Sequence, residues 1–390
     1  MIKKIRARLN LRRHIRTFGD TVAAHMPQWS NHSNAVLIIR LDGIGDFILW
    51  LDSAKEYRKI FPDKKIVLLA NTMWAGLAEC LPYWDEIIPI ERNRLSDDLI
   101  YRYKFFNKIR KRRFQIAIHP AFSREYLIGD SLIRMSGAIQ KIGVRGHMNQ
   151  SYRKEQDKSV SDAWYTKLIP GDKAPMMELK RNAEFIRGLG VKDFESHVPK
   201  IEKLLDLPPS LKIAKPYCVI FPGAGWKSRM WPSAKYAELI RRISASSKWQ
   251  VVLCGGHDEK IICERIIELS ERNAVNLAGK TSLVELVEII RNANLVVGNE
   301  TSAIHIAAAT DTPAVCILGG GHFERFLPYS PEITSYAALP VAVFKKMDCY
   351  GCDWKCIYPS KQDNPTPLCI DAIDVKQVEK ACAQIISKAS

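Results

Sequence analysis

Apolar positions follow two alternating spacings along most of this chain. Short apolar runs of about four to eight residues, typical of buried strands, alternate with longer segments whose apolar residues recur at helical spacing. The short runs of the first half are AVLIIRL, KKIVLLAN, DEIIPI, FQIAIHP and KIGV, and those of the second half are YCVIFPG, WQVVLCGG, NLAG, NLVVGN and PAVCILGG. Strands that alternate with helices predict parallel sheets with crossover helices. The sequence therefore predicts an α/β protein.

Proline-rich interruptions divide this alternation into two halves. LPPS and AKP break the pattern between residues 199 and 216, where we predict a domain boundary. We therefore expect two doubly wound domains. Open sheets of this kind bind ligands at the carboxyl ends of their strands, so we expect the two domains to face a cleft. A polar stretch, 145–161, is predicted to be a surface loop. The predicted segments are 1–30, an N-terminal helix; 31–205 and 206–345, the two domains; and 346–390, a cysteine-rich segment with a last helix.

Composition limits the class of protein and of partner. The chain has 390 residues, of which 47% are hydrophobic, and no apolar run approaches the length of about 20 residues that crosses a bilayer. The first residues lack the apolar core of a signal peptide, so we expect a cytoplasmic protein. A net charge of +16 favours phosphate-rich partners such as nucleotide sugars or anionic lipid surfaces. Nucleic acid is not expected, because no zinc-finger, RRM or KH signature accompanies the charge.

Part of the positive charge is concentrated in the opening 22 residues. Apolar residues recur there at helical spacing with Lys and Arg between them, which predicts a basic amphipathic helix. Such a helix can lie peripherally on the anionic inner leaflet, where each basic residue contributes about 1 kcal/mol, or on an acidic protein. The alternative is a helix that packs on its own domain and carries a solvated charged face.

The first glycine turn, LDGIGDF, follows the strand 35–41. The third glycine of a dinucleotide fingerprint is missing, which argues against a nicotinamide cofactor. The turn places the carboxylate of Asp46 at the start of a helix, at the edge where the strands end. Asp46 is therefore either a reactive carboxylate in the cleft or a first-turn acid that stabilises the helix dipole.

The second glycine turn, PGAGWKSRMWP, has the composition of an anion-binding loop. Gly223, Ala224 and Gly225 leave backbone amides accessible, and Lys227 and Arg229 supply positive charge. Amides and guanidinium groups of this kind stabilise the negative charge that grows on a departing diphosphate.

A third motif, VVGNETSAIHIAAA, opens another helix after a strand. Glu300 stands at the N-terminal end, Thr301 and Ser302 begin the helix, and His305 shares a face with Thr301. His305 can bind the diphosphate or a sugar hydroxyl. The alternative is a histidine whose hydrogen bonds are satisfied in the core.

Four of the ten cysteines crowd into one C-terminal segment, DCYGCDWKCIYPSKQDNPTPLCI. In a cytoplasmic chain the spacing of Cys349, Cys352, Cys356 and Cys369 favours thiolates around a structural zinc or iron ion, with no catalytic part. The alternative is a set of free thiols. Five others lie in strand or helix patterns and are predicted to be buried thiols: Cys80, Cys218, Cys254, Cys263 and Cys316.

Together, the three glycine and acid motifs resemble those of the heptosyltransferases, glycosyltransferase family 9, from about Ala35 to Val375. The resemblance implies a GT-B fold of two Rossmann-like domains, and inverting transfer of a heptose from an ADP-sugar to a lipopolysaccharide core or a related glycan, without a catalytic metal. Asp46 matches the position of the family's catalytic base, and the second and third motifs match its donor-binding residues. Similar cysteine segments occur in many sequences that resemble this family, which supports a shared structural role.

Two positions depart from the family pattern. Arg229 stands where the family usually has lysine, which keeps the charge and adds bidentate reach. Glu300, Thr301 and Ser302 replace the usual Asp-Thr-Gly, so the identity of the donor sugar stays open. Two other functions also remain: a heptosyltransferase that modifies a protein such as an autotransporter, and a non-catalytic, metal-stabilised scaffold of the same fold.

Overall fold

A computed structural model describes residues 31–146, 155–172, 174–333, 339–358 and 366–389. The chain divides into two compact units. The first contains the described residues up to Gly43, together with Ser53–Ala174 and Arg181–Phe194. The second contains Ile44–Asp52, Pro175–Lys180 and the chain from Glu195 onward. The predicted helix within residues 1–30 lies outside the described residues.

The first unit is built on a six-stranded parallel sheet. The strand order is β3-β2-β1-β4-β5-β6. Successive strands are added on one side of β1 and then, from β4 onward, on its other side, as in a doubly wound fold. The strands are β1 Ser33–Arg40, β2 Lys65–Asn71, β3 Glu86–Ile90, β4 Phe114–His119, β5 Gln140–Arg145 and β6 Lys167–Pro170. The central strand β1 is buried from Ala35 to Arg40, because helices cover both faces of such a sheet.

The helices in this half of the chain follow the predicted alternation, although Ile44–Asp52 and Pro175–Lys180 are part of the second unit. They are α1 Ile44–Ala54, α2 Glu56–Ile60, α3 Ala75–Glu79, α4 Arg92–Asp97, α5 Leu99–Lys111, α6 Ser131–Met135, α7 Glu155–Asp162 and α8 Glu178–Leu189. Helix α5 begins after Asp98, whose carboxylate accepts hydrogen bonds of 3.0 Å from the amides of Ile100 and Tyr101.

Two predictions in this unit are wrong in detail. Apolar residues at helical spacing over 125–135 predict one helix, but this segment begins as a π-helical turn, Tyr126–Asp130, and the predicted loop 145–161 contains most of α7. Both differences involve buried Arg124, which bonds Asp130 at 3.1 Å and pairs with Asp162 at 2.7 Å. The contact with Asp162 joins segments that are distant in sequence, so local pattern does not reveal it.

The second unit repeats the same architecture. Its six parallel strands have the order β12-β11-β10-β7-β8-β9, with the reversal between β7 and β10. The strands are β7 Tyr217–Phe221, β8 Gln250–Leu253, β9 Val275–Asn276, β10 Leu295–Asn299, β11 Ala314–Ile317 and β12 Val341–Val343. The prediction of an α/β fold with two doubly wound sheets is confirmed.

The helices of the second unit alternate with its strands, as predicted. They are α9 Ser233–Ser246, α10 Lys260–Leu269, α11 Leu283–Asn292, α12 Ser302–Ala309, α13 Leu368–Asp371 and α14 Val375–Ala389, with short 3₁₀ turns at Pro209–Leu211, Lys227–Arg229 and His257–Glu259. Helix α14 packs into the core of this unit, where the indole N–H of buried Trp231 donates to the carbonyl of Ile373 at 3.1 Å. Across the described part of the chain, every helix is too short or too polar to span a bilayer.

Candidate active site

The second and third motifs follow β7 and β10, the adjacent strands between which the strand order of the second sheet reverses. Gly298 on β10 is in register with Phe221 on β7, and a Cβ atom at Gly298 would lie 2.8 Å from the Phe221 carbonyl oxygen. Only glycine permits this close approach. The loops that follow the two strands are therefore neighbours, at the position where doubly wound sheets bind ligands.

Asn299 holds these two loops together. Its buried amide donates to the carbonyls of Pro222 and Gly223, at 2.7 and 3.2 Å, and accepts from the amide of Trp231 at 3.0 Å. Sequence reasoning did not select Asn299 as a site residue. The available signal was its place directly ahead of Glu300 in the third motif.

The glycine loop between β7 and α9 has two kinds of glycine. A Cβ atom at Gly223 would lie 2.7 Å from the Glu259 side chain, whereas Gly225 has open space around it. Gly223 is thus required by packing, and Ala224 between them is partly buried. Lys227 is exposed in the 3₁₀ turn that follows, so it is not held within the site as Arg229 is.

Arg229 is held by two indole rings. Its guanidinium carbon lies 4.0 Å from the ring centroid of Trp226 and 4.4 Å from that of Trp354. Its Nε atom is buried and has no hydrogen-bond partner among the described residues. Burial lowers the pKa of Arg229, and the charge of Glu300 opposes that shift. The residue therefore carries a positive charge whose N–H edge is not used by the described part of the protein.

Glu300 and Thr301 add further buried polar atoms. Both carboxylate oxygens of Glu300 and the hydroxyl of Thr301 lack hydrogen-bond partners within the described ranges. Burial raises the pKa of Glu300 to about 8, against the lowering effect of Arg229 and Arg325, and Asp46 raises it further. Buried polar groups are seldom left unpaired, since each costs about 1–3 kcal/mol. This cluster indicates a polar ligand that supplies the missing partners.

The start of α1 belongs to the same unit as this cluster. Asp46 lies in the first turn of α1, close enough to Glu300 to raise its pKa. A Cβ atom at the neighbouring Gly45 would be 3.4 Å from the His305 ring. The structure thus brings the first motif to the third, as the prediction of a shared site requires.

His305 is buried on α12, and its Nδ1 lies 2.8 Å from the hydroxyl of Tyr329. Burial lowers its pKa to about 4, so the imidazole is neutral at pH 7. The bond to Tyr329 agrees with the alternative of a satisfied core histidine, and a role toward the donor stays a prediction.

Thr301 and Ser302 begin α12 as predicted. Thr301 precedes the first helical residue, and its side chain makes no capping bond. The first amides of this helix therefore lack a side-chain acceptor, which favours an anion at this end.

The four clustered cysteines are neighbours without forming a ligand set. Cys369 is buried, and its sulfur accepts a bond of 3.5 Å from the amide of Gly320. Burial raises its pKa, with smaller contributions from Cys349, Cys356 and Cys352. No group of three or more His, Cys, Asp or Glu side chains in the described ranges is arranged to hold a metal ion.

The predicted burial of the other cysteines is mostly confirmed. Cys218, Cys254, Cys263 and Cys316 are buried, but Cys80 is exposed. The prediction is wrong for Cys80 because this residue follows the last turn of α3, whose buried side chains are Ala75, Leu77 and Ala78.

Comparison with known proteins finds similar sequences and similar solved structures. Lipopolysaccharide heptosyltransferase 2 of Salmonella typhimurium is 24% identical over 310 residues, which are 77% of this chain and 84% of that protein. Among solved structures, ADP-heptose lipopolysaccharide heptosyltransferase II of Escherichia coli matches with a TM-score of 0.63 at 17% identity, over 91% of this chain and all of that one.

A second solved structure matches less closely. The iron-containing dodecameric glycosyltransferase TibC of enterotoxigenic Escherichia coli has a TM-score of 0.55 at 16% identity, over 93% of this chain and 78% of that one. The model of glycosyltransferase family 9 (heptosyltransferase) matches residues 102–349, which include the second and third motifs and more than half of the chain. This chain belongs to glycosyltransferase family 9, the heptosyltransferases.

Proposed function

We propose that this protein transfers a heptose from an ADP-heptose-like donor to a lipopolysaccharide core or another cell-surface glycan, with inversion at the anomeric carbon. The observation that carries the proposal is the cluster of unpartnered buried atoms on Arg229, Glu300 and Thr301, beside the turn that holds Asp46. Similarity to a lipopolysaccharide heptosyltransferase and to an ADP-heptose lipopolysaccharide heptosyltransferase supports this choice of donor and acceptor.

In this mechanism Asp46 takes the proton from the acceptor hydroxyl. The hydroxyl oxygen then forms a bond to the anomeric carbon, while the bond from that carbon to the diphosphate oxygen breaks on the opposite face. Negative charge builds on the departing diphosphate, so fixed positive groups stabilise the transition state more than the ground state.

The donor contacts follow from the chemistry of the site. Arg229 and the amides near Gly223, Ala224 and Gly225 bind the diphosphate, with Thr301 and the start of α12 at Ser302 as further donors. Glu300 and His305 contact the donor sugar. The exposed ammonium of Lys227 adds charge at the entrance to the loop. Arg229 and Thr301 are the most directly supported, because each has a buried side-chain atom without a hydrogen-bond partner among the described residues.

The four clustered cysteines serve the fold in this proposal. Trp354 lies between Cys352 and Cys356. A zinc or iron ion bound by the four thiolates would hold this segment in place. Four thiolates around one ion would leave no open coordination position for substrate, so no catalytic step is assigned to such a metal. Similarity to TibC, an iron-containing glycosyltransferase, is a reason to measure the metal content of this protein.

Membrane contact is a further part of the proposal. The net charge of +16 and the basic opening residues suit peripheral binding to the anionic inner leaflet from the cytoplasmic side. Flotation with anionic vesicles, with neutral phosphatidylcholine vesicles as the control, tests this. Equal binding to anionic and neutral vesicles would contradict an electrostatic contact with the membrane.

A transfer assay tests the proposed reaction. The purified protein is incubated with ADP-heptose and a heptose-deficient lipopolysaccharide core, and the product is measured by mass spectrometry. We expect a mass gain of one heptose on the glycolipid and release of ADP. Transfer to a protein acceptor alone would favour the protein heptosyltransferase. The absence of both transfer and donor hydrolysis would favour the non-catalytic scaffold.

A further inference from the structure

Trp354, from the cysteine-rich segment, forms one wall of the site. The guanidinium carbon of Arg229 lies over the Trp354 ring, 4.4 Å from its centroid. The same carbon lies over the Trp226 ring, 4.0 Å from its centroid. In the described ranges no side-chain hydrogen bond or ion pair orients the Arg229 guanidinium. The two indoles are therefore the groups that fix its plane.

Stacking of this kind suits an arginine that must bind a diphosphate. An indole face contacts the face of the guanidinium, whereas the five N–H groups lie at its edge, in the plane. The rings thus restrict the orientation of the cation and leave its donors for two parallel bonds to phosphate oxygens.

Hydrogen bonds fix Trp354 itself. Its indole N–H donates to Nδ1 of His322 at 3.3 Å, and Nε2 of His322 lies 3.0 Å from a carboxylate oxygen of Asp353. Burial, with Arg325 next in importance, lowers the pKa of His322 to about 4, so the ring is neutral at pH 7. One tautomer satisfies both contacts, because a proton on Nε2 donates to Asp353 and leaves Nδ1 as the acceptor.

The backbone under Trp354 is shaped to admit large rings. A Cβ atom at Gly319 or Gly321 would lie 2.8 or 2.3 Å from the Trp354 ring, and one at Gly320 would lie 2.4 Å from the ring of Tyr350. The amide of Asp353 also donates to the carbonyl of Gly321 at 2.9 Å. The three consecutive glycines are therefore needed for the rings of Trp354 and Tyr350 to pack against this backbone.

Trp354 also has an uncommon backbone conformation. Its φ is 60°, and that of Asp353 is 51°, both in the left-handed region that bulky residues rarely adopt. Such strain persists only where the surroundings enforce it, and it concentrates at functional sites.

We propose that Trp354 is a positioning residue for the donor, which holds the Arg229 guanidinium in the plane that binds the diphosphate. This inference rests on the proposed function, in which Arg229 contacts that diphosphate. It assigns the cysteine-rich segment a second task besides stabilising the fold, since the segment delivers an aromatic wall to the nucleotide site.

The experiment measures ADP affinity by calorimetry for Trp354→Ala, Trp354→Leu and Trp354→Phe. We expect the Ala and Leu variants to bind ADP about tenfold more weakly or worse, the scale of a partly desolvated cation–π contact, and the Phe variant to stay within a few fold of the wild type. Leu and Phe are both apolar and smaller than Trp, and only Phe presents a π face, so comparison of these two variants separates stacking from apolar packing. Ile357→Ala, an exposed position in the same segment, is the matched control with unchanged affinity.

A double-mutant cycle gives the decisive result. In an Arg229→Ala background, Trp354→Leu is expected to cause no further loss of ADP affinity, because the ring acts through the guanidinium. Additive losses, or a Leu variant that binds as well as the Phe variant, would overturn the inference while leaving the proposed function intact. If Arg229→Ala alone leaves ADP binding unchanged, both the inference and the proposed diphosphate contact fail.

Discussion

The side-chain oxygen of Asn299 accepts a hydrogen bond of 3.0 Å from the amide of Trp231. The amide nitrogen of the same side chain donates to the carbonyls of Pro222 and Gly223. One buried residue at the end of β10 therefore fixes both ends of the glycine loop. The loop and the acid motif behave as a single unit because this amide satisfies backbone groups on both sides.

Replacement of Asn299 is expected to loosen that unit. Asn299→Ala leaves buried carbonyls and an amide unpaired, which costs about 1–3 kcal/mol in the free energy of unfolding. Chemical denaturation measures this loss, and ADP affinity is expected to fall with it. Asn292→Ala, which removes only a local bond to the Glu288 carbonyl on α11, is the control with a smaller effect. Equal losses in the two variants would contradict the assigned role.

Asp46→Ala tests the general base. We expect transfer to fall by about 10²-fold or more, because proton removal from the acceptor is lost, while donor affinity stays within a few fold. Initial rates with saturating donor, together with calorimetry, separate the two effects. Asp63→Asn, an exposed acid after α2, is expected to leave both unchanged. Near-wild-type transfer by the Asp46 variant would remove this residue from the role.

The diphosphate contacts are tested by Arg229→Ala and Thr301→Ala. Each is expected to weaken ADP binding by roughly 1–3 kcal/mol, because a charge-assisted or direct hydrogen bond to the diphosphate is lost. Calorimetry at fixed ionic strength measures the change. Lys248→Ala, an exposed lysine distant in sequence from the three motifs, controls for loss of net charge. Unchanged affinity in both site variants would mean that the nucleotide binds elsewhere.

The raised pKa of Glu300 predicts a pH dependence of stability. Its folded pKa is about 8, above the ordinary 4.5, because burial disfavours the charged form. Below the ordinary value the carboxyl is protonated in both states. As pH rises from there to about 8, the unfolded chain releases the proton first, so the free energy of unfolding decreases and then levels off.

Glu300→Gln removes this titration and is the matched comparison. We expect the melting temperature of the wild type to fall more between pH 5.5 and pH 9 than that of the variant. ADP affinity is expected to show the same contrast, since an ionised Glu300 repels the diphosphate. Parallel curves for the two proteins would show that Glu300 does not titrate in this window.

The metal prediction is settled by elemental analysis. If the thiolates of the cysteine-rich segment bind zinc or iron, protein purified without chelator is expected to contain about one metal per chain. Cys352→Ser is then expected to lower the melting temperature, because metal-binding energy is also folding energy, while activity per folded molecule falls less than in Asp46→Ala. Cys80→Ser, an exposed thiol outside the segment, is the control. Metal-free protein of normal stability would identify the four residues as free thiols.

The sequence by itself determined the alternating architecture and the motifs at its turns. Strand and helix periodicity are local properties, since burial of one face imposes a repeat that can be read within a few residues. For the same reason the turn at Asp46, the loop at Gly223 and the helix start at Thr301 were predictable. Each is a short segment between a strand and a helix.

Only the tertiary structure decided how those segments act on one another. The unpartnered oxygens of Glu300, its pKa near 8 and the bonds of Asn299 all depend on groups that fold in from distant parts of the chain. The same holds for Trp354, whose ring reaches Arg229 only because Gly319 and Gly321 leave room for it. Burial and electrostatic coupling are set by three-dimensional neighbours, which the local sequence pattern does not encode.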